Sequence, residues 1–322
     1  MHCPELEKHR DQFQIVAACD VIPGRCAQMA EKYGCATYES AAELIADPQV
    51  ELVDIASRSC DHFAQTRVAL QAGKLVFLEK PMCLTADEAR ELAAVADGRL
   101  YIRHNRRFEP AFIEIRRIIA AGLLGEVFEI KLRRVSYQRR DDWQTIRAFG
   151  GGQLLNWGPH IIDHALRLLE APVAELWSDL KRVAAVGDAE DHLKIVLKGE
   201  NGRVVDLEIS GGAALGEPEW QVWGSRGALS GSGNTIQLKY LDPAQALPDR
   251  AADPQTPEQG FGPAEPLPWV EETREANPPG AWGIWDALYA AIRHGEPFPV
   301  KLEEAVQVME IVSRVKAGTP FA

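Results

Sequence analysis

The sequence predicts an α/β protein with two parts. Residues 1–105 read as a Rossmann-type parallel sheet domain, incomplete at its start; residues 106–322 read as an α+β domain with a large, mostly antiparallel open sheet. Three observations predict this. Up to Arg103, short apolar runs alternate with amphipathic helical stretches, the pattern of crossover units whose parallel strands are covered on both faces. Beyond Arg103, strand-like runs follow one another with hairpin signals between them. No GxGxxG occurs anywhere, although a dinucleotide-binding sheet opens on a strand, that turn and a helix N-terminus.

The elements follow in order. FQIVAACD (13–20) is expected as a strand. PGRCAQMAEKYG (23–34) is expected as a helix, with Pro near its start and Gly at its end. A short strand at 36–38, a helix at 40–47, a strand at 50–57 and a helix at 61–73 come next, then the strand KLVFLE (74–79), a helix at 85–96 and a strand at 99–103. A helix over 110–121 leads to a long strand at 126–137. Further strands are expected at 175–183, 192–199, 203–210, 219–224 and 235–241, with hairpin signals at 199–202 and 225–227. Residues 242–268 carry seven prolines and little periodicity, which predicts a long loop or lid. Helices around 283–294 and 302–316 end the chain. The chain opens in what reads as the body of a first helix and runs into a second strand. The expectation is that a first strand and its glycine turn, roughly 12–20 residues, are missing from the sequence as given.

Composition narrows the function classes. The chain is 46% apolar and 25% charged, as ordinary globular proteins are. It has no apolar run long enough to span a membrane and no hydrophobic signal core at its start, so a cytoplasmic location is expected. A net charge of −12 argues against nucleic acid as a partner. All six cysteines fall in the first 83 residues without zinc spacing, so they read as reduced, mostly buried thiols, and no metal is expected.

Several residues carry chemistry. Asp20, at the tip of the second strand, is placed to accept hydrogen bonds from an adenosine ribose, which favours NAD; Arg25 close behind keeps NADP possible. Glu79, Lys80 and Pro81 follow a strand directly, where an ammonium can hold a substrate hydroxyl. In FGGGQLLNWGPHIIDHALRLL, Gly150–Gly152 predict an open, flexible approach. His160 and Asp163 share a helical face, with the imidazole suited to take a proton and Asp163 to orient it or to bind substrate. Each has a plainer reading too: a turn cap for Asp20, a solvated turn for the Glu-Lys-Pro run, a capped helix start for His160. Arg139 to Trp143 form a mixed charge cluster that is either a solvated loop or a set of substrate contacts, with Trp143 stacking on a sugar face.

These segments together resemble the Gfo/Idh/MocA family of NAD(P)-dependent sugar and polyol oxidoreductases. The resemblance rests on DIASRSCDHFAQTRVALQAGKLVFLEKPMCLT, IRHNRRFEPAF, AAGLLGEVFEIKLR, GGGQLLNWGPHIIDHALRLL and VKLEEAVQVMEIV, and so covers nearly the whole chain in order. It implies a dehydrogenase moving a hydride between NAD(P) and a ring carbon of a sugar, inositol or related polyol. Lys80 would lie beside substrate and nicotinamide, and His160 would transfer the proton. Ser57, Ser59, Asp61, His62, Glu79 and Asn105 would line the cofactor; Arg106, Trp143 and Asn156 would meet substrate. It also implies a homodimer or homotetramer associating through the second sheet. Asn156 stands where many members carry Asp, and Ser57–Ser59 replaces a frequent Thr-Pro. The competing reading is a non-catalytic ligand-sensing protein on the same scaffold that has lost cofactor binding.

Overall fold

A computed structural model describes residues 2–251, 254 and 265–322. The first part runs α1 (His2–Leu6), β1 (Ala17–Cys19), α2 (Pro23–Tyr33), β2 (Ala36–Tyr38), α3 (Ala41–Ala46), β3 (Leu52–Ile55), α4 (His62–Gln71), β4 (Leu75–Glu79), α5 (Ala86–Val95) and β5 (Leu100–Arg103). Local chemistry sets these boundaries. Pro23 opens α2 and Gly34 closes it in the left-handed conformation. Ser40 with Glu43, and Thr85 with Glu88, form reciprocal capping boxes that start α3 and α5.

The second part contains α6 (Pro110–Ala120), β6 (Val127–Val135), α7 (Gln153–Asn156), α8 (Gly158–Leu169), β7 (Val173–Lys181), β8 (His192–Gly199), β9 (Val204–Ser210), β10 (Trp220–Gly224), β11 (Gly227–Ser232), β12 (Thr235–Leu241), β13 (Trp269–Glu275), α9 (Ile284–His294) and α10 (Leu302–Lys316). Eight of its strands form one sheet in the order β13-β12-β11-β10-β6-β9-β8-β7, with β6 and β9 parallel and the other neighbours antiparallel. Alternation gives this sheet two unlike faces: Leu193, Ile195 and Leu197 of β8 are fully buried beneath α8, while Trp177, Trp223 and Trp269 stand on the open face. Among the described residues no helix is long and apolar enough to cross a membrane.

The structure departs from expectation in several places. The parallel strands form not one sheet but two, β1-β2 and β3-β4-β5. Among the described residues no strand pairs with the edges of β1 and β3 that border one cavity. Without a partner on that side the expected strand 13–20 shortens to Ala17–Cys19, the three residues that meet β2. Strands β11 and β13 were not expected. GALSGS lacks the β-branched residues that mark a strand, and its place is fixed by packing: a Cβ on Gly227 would come within 2.6 Å of the Cβ of Tyr240. The proline-rich stretch has no regular element over 242–251, and its central part lies outside the described residues. All six cysteines are free thiols, but only Cys35 and Cys83 are buried.

Helix α10 ties the two parts together, packing on α5 and on α8. A buried ionic clamp reinforces it. Asp163 of α8 accepts both Nε (2.6 Å) and Nη2 (2.5 Å) of Arg107, whose Nη1 binds Glu304 of α10, and Glu304 also accepts from Arg167. Arg107 and Asp163 are nearly inaccessible to water, so removing one charge strands the other. Asp163→Asn is expected to lower unfolding stability by about 3 kcal/mol, read as a fall in the urea midpoint; a midpoint within error of the parent would contradict the clamp.

Candidate functional site

One cavity of about 1,920 Å³ runs from the tip of β1, past the ends of β3 and β4, to the start of α8. Of the residues given a catalytic, cofactor or substrate role from the sequence, all but Asp163 line it: Asp20, Arg25, Ser57, Ser59, Asp61, His62, Glu79, Lys80, Asn105, Arg106, Trp143, Asn156 and His160. Of the 139–143 cluster and the glycine run, Arg140, Trp143 and Gly150 do so, and Arg139, Asp141, Asp142, Gly151 and Gly152 do not. Asp163 is the correction. Both its oxygens are spent on Arg107, so its carboxylate neither orients the His160 ring nor faces the cavity. Burial works against its charge, but His104 and Arg107 keep its pKa below the ordinary carboxylate value.

Lys80 follows the last residue of β4, and its Nζ crosses to the second part, donating to the carbonyl of Asn156 at 2.8 Å. Burial pulls its pKa below the ordinary lysine value; Glu79 opposes this, while Arg106, Arg103 and Arg140 add to it. His160 is the third residue of α8, directly after Pro159, and is 5% exposed. Its Nδ1 is buried without a partner, which leaves Nε2 as the nitrogen that can meet a ligand. Burial first, then the positive fields of Lys80, His104 and Arg106, push its pKa well below 6.5, so the ring is neutral at pH 7.

The glycine run is not the open approach its composition suggested. A Cβ on Gly150 would lie 2.9 Å from the Cβ of Ser59, one on Gly151 would strike the Ile146 backbone, and one on Gly152 would strike the Glu190 carboxylate. These glycines let the loop press against the tip of β3 and against Glu190, which in turn accepts from the Leu154 amide at the start of α7. His62 braces the same region: Nδ1 lies 2.7 Å from the Pro81 carbonyl and Nε2 lies 3.2 Å from the Ser57 carbonyl.

Sequence reasoning missed two features. Gln144 was not singled out, yet its Oε1 accepts from Asn156 and from Arg140, linking the charge cluster to the Lys80 contact. Only the fold brings these loop residues together. The second is a buried network around Glu79, in which His2 Nε2 meets Glu79 at 2.9 Å, His2 Nδ1 meets Asp54 at 2.7 Å, and Arg103 donates to Glu79 at 2.6 Å and to Glu5. Nothing in MHCPEL signals this role.

The residues also bear on a dinucleotide. Asp20 faces the cavity at one end, although Oδ1 already accepts from the Ile22 amide and Oδ2 from Arg25, so the turn-cap reading is realised as well. Lys80, Asn105 and His160 face it at the other end. Gly150 is the one glycine lining the cavity among the described residues, and it closes a short 3-10 turn rather than joining a strand to a helix. The residues therefore fit the ribose and nicotinamide ends of such a cofactor, and side chains rather than a backbone cradle lie between them. Among the described residues no three His, Cys, Asp or Glu side chains gather as a metal site would need.

Comparison with known proteins places this geometry. Residues 1–101 match the oxidoreductase family NAD-binding Rossmann fold, and residues 112–230 match the GFO/IDH/MocA C-terminal domain. The chain is 33% identical over 279 residues to the uncharacterized oxidoreductase YdgJ of Escherichia coli (strain K12), covering 84% of this chain and 79% of that protein. The chain belongs to the Gfo/Idh/MocA oxidoreductase family. A second relative in the family is the scyllo-inositol 2-dehydrogenase (NADP(+)) IolW of Bacillus subtilis (strain 168), 26% identical over 84% of this chain and 77% of that protein. An oxidoreductase from Bacillus cereus has the same fold at a TM-score of 0.80, with 21% identity over 99% of this chain and 94% of that one. The Gfo/Idh/MocA assignment accords with a parallel first part followed by a large mixed sheet.

The His2 network makes stability depend on pH. Burial lowers the His2 pKa, but hydrogen bonds to Asp54 and Glu79 outweigh it and hold the ring at about 9. Its contribution is complete below pH 6.5 and is lost as pH rises through about 9. Glu79, held at about 2 against the pull of burial by His2 and Arg103, contributes above pH 4.5 and loses that contribution as pH falls through about 2. Denaturation from pH 6 to 9.5 should show a decline on the order of 3 kcal/mol that His2→Gln lacks; equal slopes in the two proteins would refute the pairing.

Proposed function

We propose that this protein is an oxidoreductase that moves a hydride between NAD, with NADP as the other candidate, and a ring carbon of a sugar, inositol or related polyol. One observation carries the reading: the Lys80 ammonium and the unpartnered His160 ring, from different parts of the fold, line the same cavity. The family membership and the name of the inositol dehydrogenase relative support it.

The nicotinamide, when bound, supplies the hydride acceptor or donor. Lys80 donates a hydrogen bond to the reacting hydroxyl, polarises it and stabilises the negative charge that develops on its oxygen. Its position needs no loop movement, because the Asn156 carbonyl already holds the ammonium. His160, neutral at working pH, takes the hydroxyl proton on Nε2 in oxidation and returns it in reduction. Its lowered pKa makes that proton easy to pass on. Asn156 accepts from Lys80 and donates to Gln144, so it keeps the lysine in place without adding a charge. Asp20 would accept from the ribose hydroxyls, with Ser57, Ser59, Asp61, Glu79 and Asn105 along the nucleotide. Copies of the chain would associate through the open face of the large sheet, where Trp177 and Trp269 are about half exposed.

Two measurements test the reading. Titration of the protein with NADH and NADPH, followed by nicotinamide fluorescence, should show saturable binding of at least one; if neither binds, the scaffold is a ligand sensor. With a turned-over polyol in hand, Lys80→Ala and His160→Asn should each lower kcat by at least about 100-fold without unfolding the protein. The acid limb of the kcat profile should lie well below pH 6.5, because the buried imidazole stays neutral to low pH. Turnover that survives both substitutions would overturn the assignment.

A further inference from the structure

The substrate end of the cavity has an uneven charge balance. Lys80 Nζ donates only to neutral oxygens of Asn156, the carbonyl at 2.8 Å and Oδ1 at 3.5 Å. Arg106 spends Nη1 on Glu109 and lies over the rings of Trp157 (4.8 Å) and Trp282 (5.9 Å); among the described residues its Nε and Nη2 have no acceptor. Arg140 spends Nε and Nη2 on Asp142, and its Nη1 has no acceptor among them. None of these free N–H groups is walled off from solvent. Glu109 and Asp142, which balance the two arginines, lie outside the cavity lining, whereas Arg106, Arg140 and Lys80 belong to it.

Asp20, Glu39, Glu51, Asp54 and Asp61 also line the cavity, but among the described residues none of them bonds Lys80 Nζ, Arg106 or Arg140. Glu79 lines the cavity beside Lys80, but its oxygens are occupied by His2, Arg103 and the Lys80 backbone amide. Asn156, between Lys80 and Arg140, is uncharged, and Gln144 behind it is too. The fields of Arg106 and Arg140 both reach Lys80, so the three cations form one electrostatic unit. The buried, unpartnered His160 ring opens onto the same space. Three cations, two of them joined through the neutral Asn156 and Gln144, with free N–H groups and no cavity carboxylate paired to them, are stabilised by a ligand that brings its own negative charge. A guanidinium edge suits a carboxylate or phosphate.

We propose that the substrate is a polyhydroxylated anion whose carboxylate or phosphate oxygens are held by the free edges of Arg106 and Arg140 while a hydroxyl lies between Lys80 and His160. This rests on the dehydrogenase reading above and narrows its substrate class from neutral polyols to sugar acids or sugar phosphates. Trp143 and Trp157, both lining the cavity, would cover an apolar face of the ring.

Calorimetric titration of the full chain without nucleotide, using glucose, glucuronate and glucose 6-phosphate at low and moderate salt, tests it. At least one anion should bind about tenfold more tightly than glucose, with that advantage shrinking as salt rises; which anion wins tells carboxylate from phosphate. Arg140→Gln, at a partly exposed position that should fold normally, and Arg106→Gln should each cost the anion about tenfold and cost glucose clearly less than they cost the anion. Glucose binding as tightly as both anions, or variants that weaken all ligands alike, would overturn this inference and leave the dehydrogenase reading standing. Binding of none of the three would also overturn this inference, whereas the dehydrogenase reading stands or falls on the NADH and NADPH titration.

Discussion

The bond from the Lys80 ammonium to the Asn156 carbonyl joins the two parts of the molecule at the point where chemistry is expected. The lysine comes from the end of a parallel strand, the acceptor from the short helix α7 ahead of α8. A charged donor on a neutral carbonyl in a partly dry site is a strong contact. It fixes the ammonium where a loose lysine would sample many rotamers, and it sets the distance between strand tip and imidazole. The glycine loop, the buried Glu190 and the α10 clamp all support α7 and α8, and so support that distance.

Much of the fold was legible because it follows from local chemistry. The Pro23 and Gly34 signals and the strand-like run at 192–199 each act over a few residues and survive into three dimensions, and the capping boxes of α3 and α5 are local in the same way. What escaped was decided at a distance. Strand β11 owes its conformation to the close approach of Tyr240, and β13 to pairing with β12, neither visible in GALSGS or WVEETRE. The first strand was overestimated because an apolar run needs a hydrogen-bonding neighbour to become a strand.

The site shows the same division. Lys80 and His160 could be found because each follows a recognisable element boundary. Asp163 misled because helical spacing places it on the His160 face but does not reveal that Arg107, from the segment after β5, captures both its oxygens. Gln144 and His2 were invisible for the converse reason: ordinary residues in loops and at a terminus gain a role only from the charges folded around them.

The His62 ring has a wider meaning. Burial, set against hydrogen bonds to the Pro81 and Ser57 carbonyls, leaves it neutral, so it carries a single proton for two acceptors. The contact to the Pro81 carbonyl, at 2.7 Å, is shorter than that to the Ser57 carbonyl, at 3.2 Å. The turns that follow two adjacent strands, β3 and β4, are thus connected through one imidazole. The serine turn and the lysine-bearing turn therefore cannot separate without breaking a contact of that ring, which couples two walls of the cavity.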